Sequence, residues 1–254
     1  MKIAVSGKGG VGKTTFSAFL IRTFNAMNKK VLAIDADPDA NLAMTVGIQN
    51  ANLITPISEM KTLIAKRTGS KPGIGGMFTL NPKVDDLPES LSAKFENILL
   101  MRLGGIPKGG GGCICPESTL LKALITHVVV ARNEMVIMDM EAGIEHLGRG
   151  TATAVDVLII IVEPGKRSIE TAQHIRKLAS EIYLNRIVLV GNKIRKKEDE
   201  AFLKESLSDF TFLGFLPYSD TLVEADIKGS SPYDAVDEKY HKLLRQMVEK
   251  LGVL

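Results

Sequence analysis

The chain has 254 residues, 45% of them hydrophobic and 24% charged, with a formal net charge of +3. That length suffices for one large α/β domain with a well-buried core, and so weak a charge gives no argument for a nucleic-acid partner. No run approaches the ~18 apolar residues of a membrane span, and the N-terminus is already a strand entering a glycine-rich loop, which leaves no room for a signal peptide; the expected location is cytoplasmic, where thiols stay reduced.

Lys2-Ile3-Ala4-Val5 reads as a short buried strand running into Ser6-Gly7-Lys8-Gly9-Gly10-Val11-Gly12-Lys13-Thr14-Thr15. Gly7 and the Gly12-Lys13-Thr14 triplet satisfy the phosphate-loop pattern G-x-x-x-x-G-K-[ST]. From Thr14 the spacing of Phe16, Phe19, Leu20, Phe24 and Met27 predicts a helix with one apolar face. Glycines let backbone N–H groups wrap around a phosphate, and the helix N-terminus adds a favourable dipole. Residues Gly9, Gly10, Val11, Gly12, Lys13, Thr14 and Thr15 are therefore expected to cradle a nucleoside triphosphate. Lys13 would reach its β- and γ-phosphates, and the Thr14 hydroxyl would ligate Mg²⁺.

Lys8 is a second lysine that a simple phosphate loop does not need. With it, Gly-Lys-Gly-Gly-Val-Gly-Lys-Thr-Thr resembles the deviant Walker A loop of the MinD/ParA/nitrogenase-iron-protein class. The resemblance implies an ATPase with a three-layer α/β phosphate-loop fold, a mostly parallel central sheet flanked by helices. It also implies a nucleotide-sandwich homodimer in which Lys8 reaches the phosphates bound by the partner subunit.

Val31-Leu32-Ala33-Ile34-Asp35 is a second buried strand, ending in Asp35-Ala36-Asp37-Pro38-Asp39. Carboxylates at the carboxyl end of a sheet strand stand where α/β folds place ligands. The resemblance makes this the D-x-D-P segment of switch I, with Asp37 orienting or activating the attacking water beside Mg²⁺. Asp39 is read as a helix-capping acid ahead of Ala40-Asn41-Leu42.

Residues 55–112 are the least regular part. Thr68 to Gly76 and Gly104 to Gly112 are loops by composition, with short strands expected at Met77-Phe78-Thr79-Leu80 and Ile98-Leu99-Leu100-Met101. No internal repeat or domain boundary is visible. The chain is expected to be a single domain over 1–254 with a glycine-rich insertion and C-x-C loop at about 68–116.

The second glycine run leads into Cys113-Ile114-Cys115, the chain's two cysteines. Two thiolates at this spacing can bind one soft or borderline metal, and they supply half the shell of a closed four-sulfur site. A dimer axis passing here would let two chains complete that site. Ordinary free thiols and a redox-active disulfide are the alternatives.

Thr119 to Ile125 begins a helix, and the strand Met135-Val136-Ile137-Met138-Asp139 follows. An apolar strand ending in Asp is the Walker B pattern, which sets Asp139 near Mg²⁺, usually through water. Asp139-Met140-Glu141-Ala142-Gly143-Ile144-Glu145 resembles the D-x-x-A-G-I-E switch II of the same class, in which Gly143 offers its N–H to the γ-phosphate. Glu141 departs from the small residue or proline usual there. His146 is read as a structural histidine.

Asp156 to Pro164 is another buried strand, and the next helix is expected over Ser168 to Ile182 with Ser168 as N-cap. Ile187 to Lys193 is a strand ending in Asn192 and Lys193 beside the expected base site; Asn192 can both donate to and accept from an adenine edge. A guanine-reading N-K-x-D signature would need an acid where Arg195 stands, so ATP is favoured over GTP. Phe212 to Tyr218 is the last strand, with Pro217 and Tyr218 flanking the base as the loop of this class does. Asp234 to Leu251 forms an amphipathic helix with Tyr240, Leu243, Leu244, Met247 and Leu251 on one face. Proteins of the MinD type target membranes with such a helix, but docking on the core is the preferred reading here, since Glu238 and Glu249 sit among its lysines.

The glycine run with Cys113-Ile114-Cys115, taken together with Met138 to His146, resembles the CooC-type ATPases that mature nickel enzymes. That resemblance implies a homodimer that binds ATP and ADP with Mg²⁺ and holds one Ni²⁺ or Zn²⁺ between two C-x-C pairs. It implies nickel delivery to a client, carbon monoxide dehydrogenase or acetyl-CoA synthase, on ATP hydrolysis. Rival readings are a MinD/ParA-like positioning ATPase, a nitrogenase-iron-protein-like Fe–S reductase and a non-catalytic nucleotide-binding regulator.

Overall fold

The structure is a computed structural model that describes residues 1–70, 79–104, 116–131, 134–143 and 155–253. Among the described residues the centre is an eight-stranded sheet with strands β1 (Lys2–Gly7), β2 (Val31–Ala36), β3 (Ala93–Phe95), β4 (Ile98–Arg102), β5 (Met135–Met140), β6 (Val157–Val162), β7 (Ile187–Ile194) and β8 (Thr211–Pro217). Their order is β3-β4-β2-β5-β1-β6-β7-β8, with all neighbours parallel except the antiparallel β3–β4 hairpin at one edge.

The inner strands are continuous apolar runs because both faces of the sheet are covered. Alternation splits their side chains between two cores. Leu32, Ile34, Met138, Leu158 and Ile160 pack with α5 (Pro116–Ala131) and α6 (Lys166–Glu181). Ile3, Val5, Ala33, Ile137 and Ile159 pack on the other face with α1 (Lys13–Ala26), α2 (Leu42–Val46) and the C-terminal α10 (Glu238–Val253). The result is the expected three-layer α/β arrangement. Smaller helices complete the layers: α3 (Lys61–Thr68), α4 (Leu87–Leu91), α7 (Lys197–Ser206), α8 (Asp220–Ile227) and α9 (Pro232–Ala235).

On α1 the expected apolar face is buried at Phe16, Phe19, Leu20 and Phe24, but Met27 caps the helix C-terminus and is 43% exposed. The last turn has already rotated it away from the core. On α10, Tyr240, Leu244, Met247 and Leu251 are buried and Leu243 packs half-buried against the same cluster, so this stripe docks on the core. Tyr240 meets Phe19 with ring centroids 5.3 Å apart, and a Cβ on Gly214 of β8 would come within 2.4 Å of Met247. Among the described residues no helix is long and apolar enough to cross a membrane.

Several local expectations need correction. The strand expected at 77–80 does not extend to Thr79 and Leu80, while Met77 and Phe78 lie outside the described residues. Helix α5 starts at Pro116, ahead of Thr119. Ser168 lies inside α6, whose N-cap is Gly165; its hydroxyl instead accepts the Glu163 N–H at 3.0 Å. The C-terminal helix is divided into α9 and α10. Asp39 does not cap α2: the first helical N–H, that of Leu42, goes back to the Asp35 carboxylate at 3.1 Å, and the Asp39 N–H bonds Asp37 Oδ1 at 3.0 Å.

Candidate active site

The site forms where chain topology reverses. Strand β1 lies between β5 and β6; the chain leaves β1 through α1 toward β2 on one side and leaves β6 through α6 toward β7 on the other, the switch point at which α/β sheets place a ligand crevice. Ser6 to Thr15 crosses this crevice and enters α1 through Gly12. Gly12 is left-handed at φ 96°, and a Cβ on it would lie 2.5 Å from Asn192 Nδ2. Only glycine meets both demands.

The loop is anchored from β7. Asn192 Nδ2 donates to the Val11 carbonyl at 2.8 Å, and Lys193 Nζ donates to the Gly10 carbonyl at 2.6 Å. Lys193 has φ 58°, a conformation costly for a residue with a Cβ, at an irregularity in the β7–β8 register between Gly191 and Ile194. That bulge turns two consecutive side chains onto the loop. Fixing both carbonyls on the β7 side fixes the orientation of the peptide units that must offer N–H groups to an anion. Asn192 was expected to read an adenine edge; at least one of its donors is engaged with the loop instead.

A cavity of about 270 Å³ lies beside the loop. Gly10, Gly12 and Thr15 line it together with Asn192, Lys193, Pro217 and Tyr218. The sequence thus brings both halves of its expected nucleotide set to one place. Reasoning from sequence missed the remaining wall, formed by Met44 of α2, Leu222 and Asp226 of α8, and Ser230. No motif marks these residues; only the packing of short helices over the crevice brings them in. The Arg195 guanidinium lies 3.6 Å from the Tyr218 ring centroid, covering one face of that ring.

On the other side of the loop stand the acids. Asp139 is 1% exposed, its Oδ1 accepts the Ser17 hydroxyl at 2.9 Å, and its buried Oδ2 has no hydrogen-bond partner among the described residues. Burial pushes its pKa up to about 6, opposed by the nearby Thr14 and Ser17 hydroxyls and by the charge of Lys13. Asp35 pairs in register with Asp139, is fully buried, and also leaves one oxygen, Oδ1, without a partner among the described residues. Burial, and then the charge of Asp139, push its pKa up to about 7. The Asp139 carboxylate near the Thr14 hydroxyl is a hard-oxygen donor pair that suits Mg²⁺. Asp37 follows β2, half-buried, close enough for its charge to raise the Asp139 pKa further.

Lys13 is 8% exposed at the start of α1. The Lys8 ammonium lies 3.6 Å from Glu163 Oε1. Gly143 is clasped by Ser6: the Ser6 hydroxyl donates to the Gly143 carbonyl at 2.7 Å and accepts the Gly143 N–H at 3.3 Å. The N–H expected to meet a γ-phosphate is thus held by a serine at the root of the phosphate loop. Cys113, Cys115, Ile144, Glu145 and His146 lie outside the described residues.

Fold and crevice define a phosphate-loop ATPase of the three-layer α/β type. The family model for the CobQ/CobB/MinD/ParA nucleotide binding domain matches residues 2–233, and the chain belongs to that family. It is 42% identical over 257 aligned residues to the carbon monoxide dehydrogenase accessory protein CooC of Rhodospirillum rubrum, covering 99% of this chain and 98% of that protein. It is also 42% identical to an uncharacterized ATP-binding protein of Methanocaldococcus jannaschii, over 90% of each chain. Among solved structures, the MinD cell division protein of Aquifex aeolicus superposes with a TM-score of 0.70 at 21% identity, covering 100% of this chain and 98% of that one.

Proposed function

We propose that this chain, acting as one domain over its whole length, is an ATP-hydrolysing maturation factor for carbon monoxide dehydrogenase or a related nickel enzyme. The observation that carries this reading is the 42% identity to CooC along 99% of the chain. In this reading Gly9 to Thr15 wrap the phosphates, Lys13 binds the β- and γ-phosphates, and Gly143 meets the γ-phosphate when Ser6 releases its N–H. The base enters the cavity between Asn192, Lys193, Pro217 and Tyr218. The Thr14 hydroxyl and, through water, Asp139 would hold Mg²⁺, which would supply neutralisation of phosphate charge. Asp37 orients the attacking water and holds its proton. Lys8 crosses to the nucleotide of a second copy, so that the working unit is a homodimer. We place it in the cytoplasm.

Nickel is the cargo in this scheme. Cys113 and Cys115 of two copies would together supply four thiolates, a set that accepts Zn²⁺ in a tetrahedral site as well as Ni²⁺ in a square-planar one. A site built from two halves is coupled to any nucleotide state that moves the halves, and by the same free energy in both directions.

The test is titration of the anaerobic, reduced protein with Ni²⁺ and with Zn²⁺, with and without ADP or ATP, following molar mass by light scattering. One metal per two chains, lost in the Cys113→Ser/Cys115→Ser variant and shifted by nucleotide, is expected. No tight metal site would remove the nickel reading and leave a MinD/ParA-type switch. The docked α10 speaks against the membrane-targeting form of that alternative, because its apolar stripe is buried.

A further inference from the structure

Glu163 belongs to no motif of the site, yet it touches two of its lysines. It closes β6, fixed by Pro164 behind it and by the Ser168 hydroxyl that accepts its backbone N–H. Its Oε1 faces the Lys8 ammonium at 3.6 Å and its Oε2 faces Lys193 Nζ at 3.0 Å. Lys193 Nζ also donates to the Gly10 carbonyl of the phosphate loop. One carboxylate thus serves two ammonium groups, all three side chains being partly exposed at 25% to 42%.

We propose that Glu163 is an internal counter-ion that holds Lys8 within its own subunit until a second nucleotide-loaded copy arrives, so that it sets the threshold for dimerisation. This rests on the homodimer reading above, in which Lys8 acts across the interface. Lys8 cannot pair with Glu163 and reach a partner's phosphates together, so the internal pair competes with the dimer. Lys193 keeps the competition mild. When Lys8 departs, Glu163 still has a cation at 3.0 Å and is not left bare, so release costs only one partly exposed ion pair. Phosphates, carrying several negative charges, readily outbid a single carboxylate for the ammonium.

Two readouts on Glu163→Gln test this. The first is the acylation rate of Lys8 in nucleotide-free monomer by an N-hydroxysuccinimide ester, measured by peptide mass spectrometry against the exposed Lys239 as internal reference. The carboxylate engages the ammonium and limits its access to the reagent, so the variant should label Lys8 about threefold faster, a factor within the range of an exposed ion pair. Lys193→Met should slow labelling, because Lys8 then has Glu163 to itself. The second readout is the protein concentration at half-dimer with Mg²⁺ and a non-hydrolysable ATP analogue, which should fall about threefold in Glu163→Gln. Unchanged Lys8 labelling overturns the proposal whether or not the chain dimerises. Faster labelling, with a wild-type dimer whose midpoint the variant leaves unmoved or raises, overturns the gating role and leaves the homodimer reading intact. A wild type that stays monomeric with the analogue overturns the homodimer reading, and the gating role with it, even where labelling follows Glu163.

Discussion

Asp35 and Asp139 lie opposite each other in register on adjacent parallel strands, both buried and each with one oxygen that finds no hydrogen-bond partner among the described residues. Two like charges so placed oppose one another, and burial disfavours both. Their pKa values, about 7 and about 6, stand above the ordinary carboxylate value near 4. The folded chain therefore binds protons more tightly than the unfolded one. The resulting stability is fully present below pH ~4 and is lost as pH rises through about 6 and 7. In thermal denaturation without nucleotide or Mg²⁺, Asp35→Asn should flatten the fall in Tm between pH 5 and 8, an effect on the order of a few kcal/mol. Equal slopes in wild type and variant would contradict this.

Asp37 is half-buried just after β2, beside the same crevice, and its Oδ1 accepts the local Asp39 N–H. Asp37→Asn should lower kcat by about 10²- to 10⁴-fold, the usual contribution of a general base. Nucleotide affinity should stay within about threefold, since the phosphate-holding residues are untouched. Steady-state turnover alongside a fluorescent-ATP titration separates the two. A fully active variant would remove Asp37 from its catalytic role, whereas a wild type that binds ATP without turning it over, and a variant that matches it, would return the chain to the class of non-catalytic nucleotide switches.

Asn192 carries the 2.8 Å bond that fixes the Val11 carbonyl. Truncation to alanine removes about 0.5–1.5 kcal/mol of net hydrogen bonding, so ATP should bind about 2- to 10-fold more weakly. The measurement is titration calorimetry with ATP and Mg²⁺. Unaltered affinity would mean that the loop holds its shape without β7.

Leu244 is 1% exposed in the seam between α10 and the sheet. Leu244→Ala should cost about 2–4 kcal/mol and lower Tm by roughly 5–15 °C. Because the same stripe is buried, the wild type should not cosediment with anionic vesicles when ATP is added. Nucleotide-dependent cosedimentation would show that α10 undocks.

The central strands were legible because burial on both faces leaves an uninterrupted apolar signature in β1, β2, β5, β6 and β7. The phosphate loop and the acids at strand ends were legible because their chemistry is local in sequence. What escaped depends on distant partners. The β3–β4 hairpin turns through Glu96 at φ 53° where a glycine or asparagine would be expected. It is held by Asn25 of α1, whose side chain donates to Glu96 and accepts the Asn97 N–H at 3.2 Å. Likewise Asp35 caps α2 from within a strand, Ser6 clasps Gly143 across 137 residues, and Lys193 reaches Gly10 across 183. Each is a contact between segments that periodicity cannot relate.

The tethering of Gly10 and Val11 to β7 also bears on how fast a ligand can be taken up. Ordering a free backbone residue costs about 1–2 kcal/mol, and a glycine-rich loop would normally meet that cost at the moment of binding. Here the carbonyls are already pinned and the Val11 side chain is sealed in the core. Arrival then needs no search through loop conformations, so encounter frequency governs entry and the residence time of the bound nucleotide becomes the tunable quantity.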